Sequence, residues 1–172
     1  MKYNLKILIA YGSLGKLYHL KDFAKELERQ GVEVKLVKDI DYSRGFPSKK
    51  ISEWIFGNKK FKKLIKDFSP NAIFVDRQSH FALQSIRSGI PTFVLLRGHY
   101  WQEYYWGMKT LGDNLKNRIA IWSRNRIAEK VFSEATLIFP ICKYLESVVK
   151  EHHPKQNTGV FLEGIDSILW KH

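Results

Sequence analysis

A single cysteine, Cys142, stands in 172 residues, so no internal disulfide can form. The lone thiol fits a reducing cytosol, and because it follows an apolar run it reads as a buried structural group. No apolar run is long enough to span a membrane. The opening "MKYNLKILIAYG" reads directly as a strand and not as a secretory signal. There is no internal repeat, no linker and no low-complexity segment, which points to one domain over residues 1–172. No His/Cys/Asp/Glu set has the spacing of metal ligands, so no metal is expected, and no Ser/His/Asp triad can be picked out. Acidic residues are also scarce. The net charge is +12, and residues 1–96 carry 18 basic against 9 acidic side chains. Such an excess suits a polyanionic partner: anionic lipid, nucleic acid or a phosphorylated substrate.

What is present is a regular alternation of short apolar runs and helical patterns. Leu5–Tyr11 is a buried strand, followed by the turn "GSLGK". Residues 17–30 carry Leu20, Phe23, Ala24 and Leu27 on one helical face, and Gly31 closes that helix. Val32–Val37 is a second strand and Asp39–Lys50 a loop. "ISEWIFGNKKFKKLIKDF" gives one or two helices with a break at Gly57-Asn58. Strands follow at Ala72–Val75, Thr92–Leu96 and Thr136–Ile141, with helices over residues 79–88, 113–134 and 143–153. "TGVFLEGID" reads as a last strand and turn. About six strands alternating with helices predict an α/β fold: a doubly wound, mostly parallel sheet in three layers.

In such sheets ligands bind beyond the carboxyl ends of the strands. Here those ends are "YGSLGK", "KDIDYS", "DRQSH", "RGHYW" and "PICK". "YGSLGK" is not a phosphate loop, because Gly12 and Gly15 are separated by two residues and not four, and not a dinucleotide fingerprint, because only the Gly12-x-x-Gly15 part of G-x-G-x-x-G is present. It remains a Gly turn before a helix start, where a ligand can approach backbone N–H groups. Asp39 and Asp41 lie in an ordinary polar loop. His99, just past a strand end, is a candidate general base or hydrogen-bonding group beside the aromatic run Tyr100–Trp106. Rim position also nominates Asp76, Arg77, Arg97 and Trp101 for ligand contacts, with Tyr104, Tyr105 and Trp106 packing the following connection or meeting lipid. Two basic stretches stand out. Lys59–Lys66 is a charged helix face; Lys116–Lys130 interleaves Lys and Arg with Ile119, Ile121 and Trp122, a pattern suited to a membrane interface.

Five pieces, in chain order, resemble the N-terminal domain of group-1 (family 4) glycosyltransferases with the GT-B fold. They are "GSLGKLYHLKDFAKELERQGVEVKLV", "DFSPNAIFVD", "GIPTFVLLRGHYW", "EKVFSEATLIFPICKYLESVVKE" and "TGVFLEGIDSILW". They look like the family's Gly loop and first helix, its "kPDiih.h", its "g.P.v...Hg", its "E......aD.ii.vS" and its "v..NGvD" exit from the first domain. The resemblance implies a Rossmann-like half of a GT-B enzyme, with the second, donor-binding domain absent from this chain. It implies transfer of a sugar from a nucleotide-sugar donor to an acceptor, with retention and without metal or other cofactor. Gly12, Ser13 and Gly15 then belong to the loop that approaches the donor, and His99 to the catalytic cleft. Taken alone, the domain is expected to be inactive. Its expected place is the cytoplasm, at the membrane face, with anionic lipid met by Lys59–Lys66 and Lys116–Lys130. The alternative is a basic α/β nucleic-acid- or nucleotide-binding domain without enzymatic activity, although no RNA-binding signature is present.

Overall fold

Strands β1 (Lys6–Tyr11), β2 (Glu33–Lys38), β3 (Ala72–Val75), β4 (Thr92–Leu96) and β5 (Leu137–Pro140) pair in one all-parallel sheet, in the order β2-β1-β3-β4-β5. A computed structural model describes residues 5–48, 53 and 58–162. Between and after the strands run α1 (Leu14–Arg29), α2 (Asp39–Tyr42), α3 (Lys59–Phe68), α4 (His80–Arg87), α5 (Tyr100–Leu111), α6 (Leu115–Glu134) and α7 (Lys143–His152). The result is a Rossmann-like, doubly wound, three-layer α/β fold.

The central strands are continuous apolar runs because both of their faces are covered. Leu8 and Ala10 of β1 point to one layer with Ile73, Val75, Val94 and Leu96. Ile9 points to the other with Phe74 and Leu95. The first layer is filled by Phe61, Leu64 and Phe68 of α3, Phe81 of α4 and Phe132 of α6. The second is filled by Leu20 and Ala24 of α1, with Phe161 packed against them. The edge strand β2 alternates exposed Glu33 and Lys35 with more covered Val34 and Leu36, as a half-covered strand should.

Helix α1 ends at Gly31 as the spacing predicts. Gly31 has φ +85°, its N–H donates to Glu28 O, and the Val32 N–H donates to Leu27 O, a six-to-one closure. An Ala at 31 must adopt the left-handed conformation, so Gly31→Ala is expected to cost about 1 kcal/mol. Urea unfolding checks this as a lowered midpoint at unchanged slope.

Several expectations are corrected. The predicted loop after β2 opens with the helical turn α2. Tyr100–Leu111, where the aromatic run predicts no element, is a helix. The expected sixth strand is reduced to one parallel bridge, Ile138 to Thr158, with Phe161 N–H donating to Pro140 O alongside β5. Cys142 is half-buried as the residue before α7, not fully buried. Of residues 51–57 only Glu53 is described, and Glu163–Asp166 of the expected last turn lie outside the described residues.

Candidate functional site

Because all five strands run the same way, their carboxyl ends share one rim. After β1 the chain winds toward β2, and after β2 it crosses to β3 on the other side of β1. The winding direction reverses between β1 and β3, where doubly wound sheets open a ligand crevice. Here Gly12 follows β1 and Asp76 follows β3. The Gly12 N–H donates to Asp76 Oδ1 at 2.9 Å, across the point of reversal. Asp76 is only 3% exposed. Its own N–H donates to Ala10 O, which extends the β1–β3 pairing by one bond. Its second oxygen lies 3.8 Å from Nη1 of the largely buried Arg97 at the end of β4. One carboxylate thus links three adjacent strand ends.

A second pair lies beside it. Arg77 donates from Nε and Nη2 to the two oxygens of Asp39 at 2.7 and 2.8 Å. This fork-to-fork geometry fixes orientation as well as charge. The hydrogen bond to Asp39 raises the Arg77 pKa above its ordinary value, so the guanidinium stays charged. Gly12 makes the pairing possible. A Cβ there would come within 2.4 Å of Arg77 Nε, so only a residue without a side chain lets Arg77 pass over the loop to Asp39.

His99 stands at the rim, half-buried, immediately before α5. Its Nδ1 lies 3.1 Å from the Gln102 N–H and accepts from it, which caps the helix. That bond fixes the neutral tautomer: Nδ1 carries the lone pair and Nε2 the hydrogen. In this arrangement His99 offers a donor through Nε2. A general-base role through Nε2 would require giving up the cap. Ser13 is exposed and precedes α1 without a side-chain bond to it; Gly15 lies exposed in the first turn.

Trp101 departs from the expectation that it faces the cleft. Its Nε1 donates to Glu129 Oε1 at 2.9 Å, and its ring stacks on His152 at 4.1 Å and on Phe132 at 4.9 Å. Glu129 also meets His153 Nε2 at 2.9 Å. Trp101 therefore ties α5 to α6 and α7. The half-buried ring is held there by apolar area and a satisfied N–H.

Between α2, the turn after it, the start of α4 and α6 lies a cavity of about 750 Å³. Asp39, Arg44, Arg77, His80 and Arg124 line it. Of these, sequence reading nominated only Arg77. Asp39, which the sequence places in an ordinary polar loop, is 2% exposed and anchors the Arg77 pair. His80 lies in the strand-end segment "DRQSH" and Arg124 in the second basic stretch, so the rim position of one and the charge of the other were visible. Their meeting was not, since it joins elements more than forty residues apart in the chain.

Among the described residues no group of three or more His, Cys, Asp or Glu is positioned to hold a metal ion, and no helix is long and apolar enough to cross a membrane. Comparison with known protein families finds no matching family model, and comparison with curated proteins finds no match.

Proposed function

We propose that residues 1–172 form the N-terminal, acceptor-side domain of a two-domain GT-B glycosyltransferase. The whole enzyme moves a sugar from a nucleotide-sugar donor to an acceptor, with retention and without a metal. The observation that carries the reading is the Gly12–Asp76 hydrogen bond. It joins the Gly loop to the β3 end at the reversal of strand order, with Arg97 and His99 on the same rim. Backbone amides at the start of α1 and the His99 Nε2–H suit negative charge developing on a leaving diphosphate. The natural reading frame past residue 172 is expected to encode a second Rossmann-like domain with an E-x-x-x-x-x-x-x-E stretch. A frame that ends there, with no second subunit co-purifying, contradicts the reading.

The same proposal includes docking at an anionic cytoplasmic membrane face. The two basic stretches differ in what accompanies their charge. On α3 the five lysines from Lys59 to Lys66 are exposed while Phe61, Leu64 and Phe68 are buried, so nothing apolar is available to insert. On the α5–α6 hairpin, Trp106, Leu111, Leu115 (73% exposed) and Trp122 (55% exposed) lie open among Lys109, Lys116, Arg118 and Arg126. Lys109 Nζ sits 5.3 Å from the Trp106 ring and Arg126 Cζ 5.8 Å from that of Trp122. Exposed apolar groups ringed by cations match the acyl boundary and headgroups of an anionic bilayer. The double substitution Leu115→Glu/Trp122→Glu is expected to lower partitioning into phosphatidylglycerol vesicles by more than about tenfold, from lost insertion of two large apolar groups. Lys62→Gln/Lys63→Gln on α3 leaves it within about threefold at physiological salt, where uninserted charge is screened over about 8 Å. Co-sedimentation measures both, and an unaffected hairpin variant contradicts membrane docking.

A further inference from the structure

The cavity beside the Asp39–Arg77 pair has the size of a small-molecule site and a mixed polar lining. His80 is its most informative wall. The imidazole Nε2 lies 2.7 Å from the Phe46 carbonyl oxygen. A carbonyl can only accept, so Nε2 carries the hydrogen and Nδ1 is left as an acceptor. Burial pushes the His80 pKa below the ordinary histidine value, which keeps the ring neutral near pH 7. Nδ1 makes no hydrogen bond among the described residues, so it is available to the hydroxyl of a ligand. Gly45 of the same turn also packs against the ring: a Cβ there would come within 2.4 Å of His80 Cε1.

The charges are unequal. Arg77 is matched by Asp39 at 2.7 Å, and Arg44 by Glu53 at 3.2 Å. Arg124, projecting from α6 into the lining, makes no ion pair among the described residues. Three guanidiniums therefore face two carboxylates, and the hydroxyls of Ser43, Ser48 and Ser79 complete a wall that both donates and accepts. Such a lining offers a polar ligand both a cation and hydrogen-bonding groups.

We propose that this cavity binds a polyhydroxylated compound carrying one phosphate group, with a hydroxyl donated to His80 Nδ1 and the phosphate held by Arg124. A free sugar phosphate and the headgroup of a glycerophospholipid share this chemistry. That the ligand is the glycosyl acceptor rests on the transferase reading; the binding itself does not.

Calorimetric titration of the chain with glucose 6-phosphate, glycerol 3-phosphate and inositol 1-phosphate tests the site. At least one is expected to bind saturably in the millimolar range or below, and at least tenfold tighter than inorganic phosphate or the parent polyol. Arg124→Gln, on an exposed helical position that leaves folding intact, is expected to weaken both the polyol phosphate and inorganic phosphate, and so to remove the tenfold advantage over the parent polyol. Gly45→Ala, which displaces the imidazole without changing any polar group, is expected to weaken the polyol phosphate and leave inorganic phosphate unchanged. Competition by phosphatidylglycerol vesicles, but not phosphatidylcholine vesicles, assigns a lipid headgroup; binding without such competition assigns a soluble ligand. Saturable binding by none of the three, or binding undiminished in Arg124→Gln, overturns the proposal. Binding here without sugar transfer by the longer protein overturns the transferase reading alone; transfer without binding here overturns this site alone.

Discussion

On the proposed transferase reading, replacing His99 by Asn is expected to lower glycosyl transfer by the two-domain protein by about a hundredfold, the usual loss for one preorganised donor to developing charge, while leaving the melting temperature unchanged. The reason is the division of labour between the two ring nitrogens. Nδ1 accepts from the Gln102 N–H and caps α5. Asn is as good a cap as any residue, so its side-chain oxygen replaces that bond. The Nε2–H, directed away from the cap, has no counterpart in Asn once its oxygen is so used. His99→Ala is expected to lose the same transfer and, in addition, about 1 kcal/mol of stability from the missing cap. The pair of variants separates chemistry from capping. Full transfer by His99→Asn would reduce His99 to a helix cap and remove it from the cleft.

Asp76→Ala is expected to destabilise the domain by about 3 kcal/mol, because it leaves a largely buried charge and a part-buried N–H without the carboxylate they face. Asp76 is the acceptor for the Gly12 N–H and lies opposite Arg97, whose side chain is 15% exposed. For a chain of this length that corresponds to a fall of about 10 °C in melting temperature. Asp76→Asn keeps an acceptor for Gly12 and loses only the charge, so it is expected to fall between wild type and Asp76→Ala. Thermal unfolding followed by circular dichroism orders the three. An Asp76→Ala protein as stable as wild type would mean that the rim is held without this carboxylate.

The parts of the fold that were legible are those with local causes. β1, β3 and β4 are covered on both faces, so they appear as unbroken apolar runs, and the Gly31 stop is a local backbone requirement. Helix α5 was not legible. None of its residues is buried, so no apolar stripe marks it. It is set by the His99 cap and by Trp101, whose partners Glu129 and His152 are far along the chain. The same reason explains why the sequence points Trp101 to the cleft: aromatic density at a strand end looks alike whether the ring faces a ligand or a neighbouring helix. At the candidate site, Asp76, Arg77 and Arg97 followed from strand ends alone. Asp39 did not, because its importance comes from Arg77, 38 residues away. A rule that treats every acidic residue directly after a predicted parallel strand as a rim candidate would have kept it.

The most direct test of the account is transfer of radiolabelled sugar from a panel of nucleotide sugars to membrane lipids and soluble sugar phosphates. It is run with residues 1–172 alone and with the protein of the full reading frame. A split transferase site requires donor-dependent, chelator-resistant transfer by the full protein and none by residues 1–172. Turnover by residues 1–172 alone, or no transfer by the full protein from any donor, would contradict it.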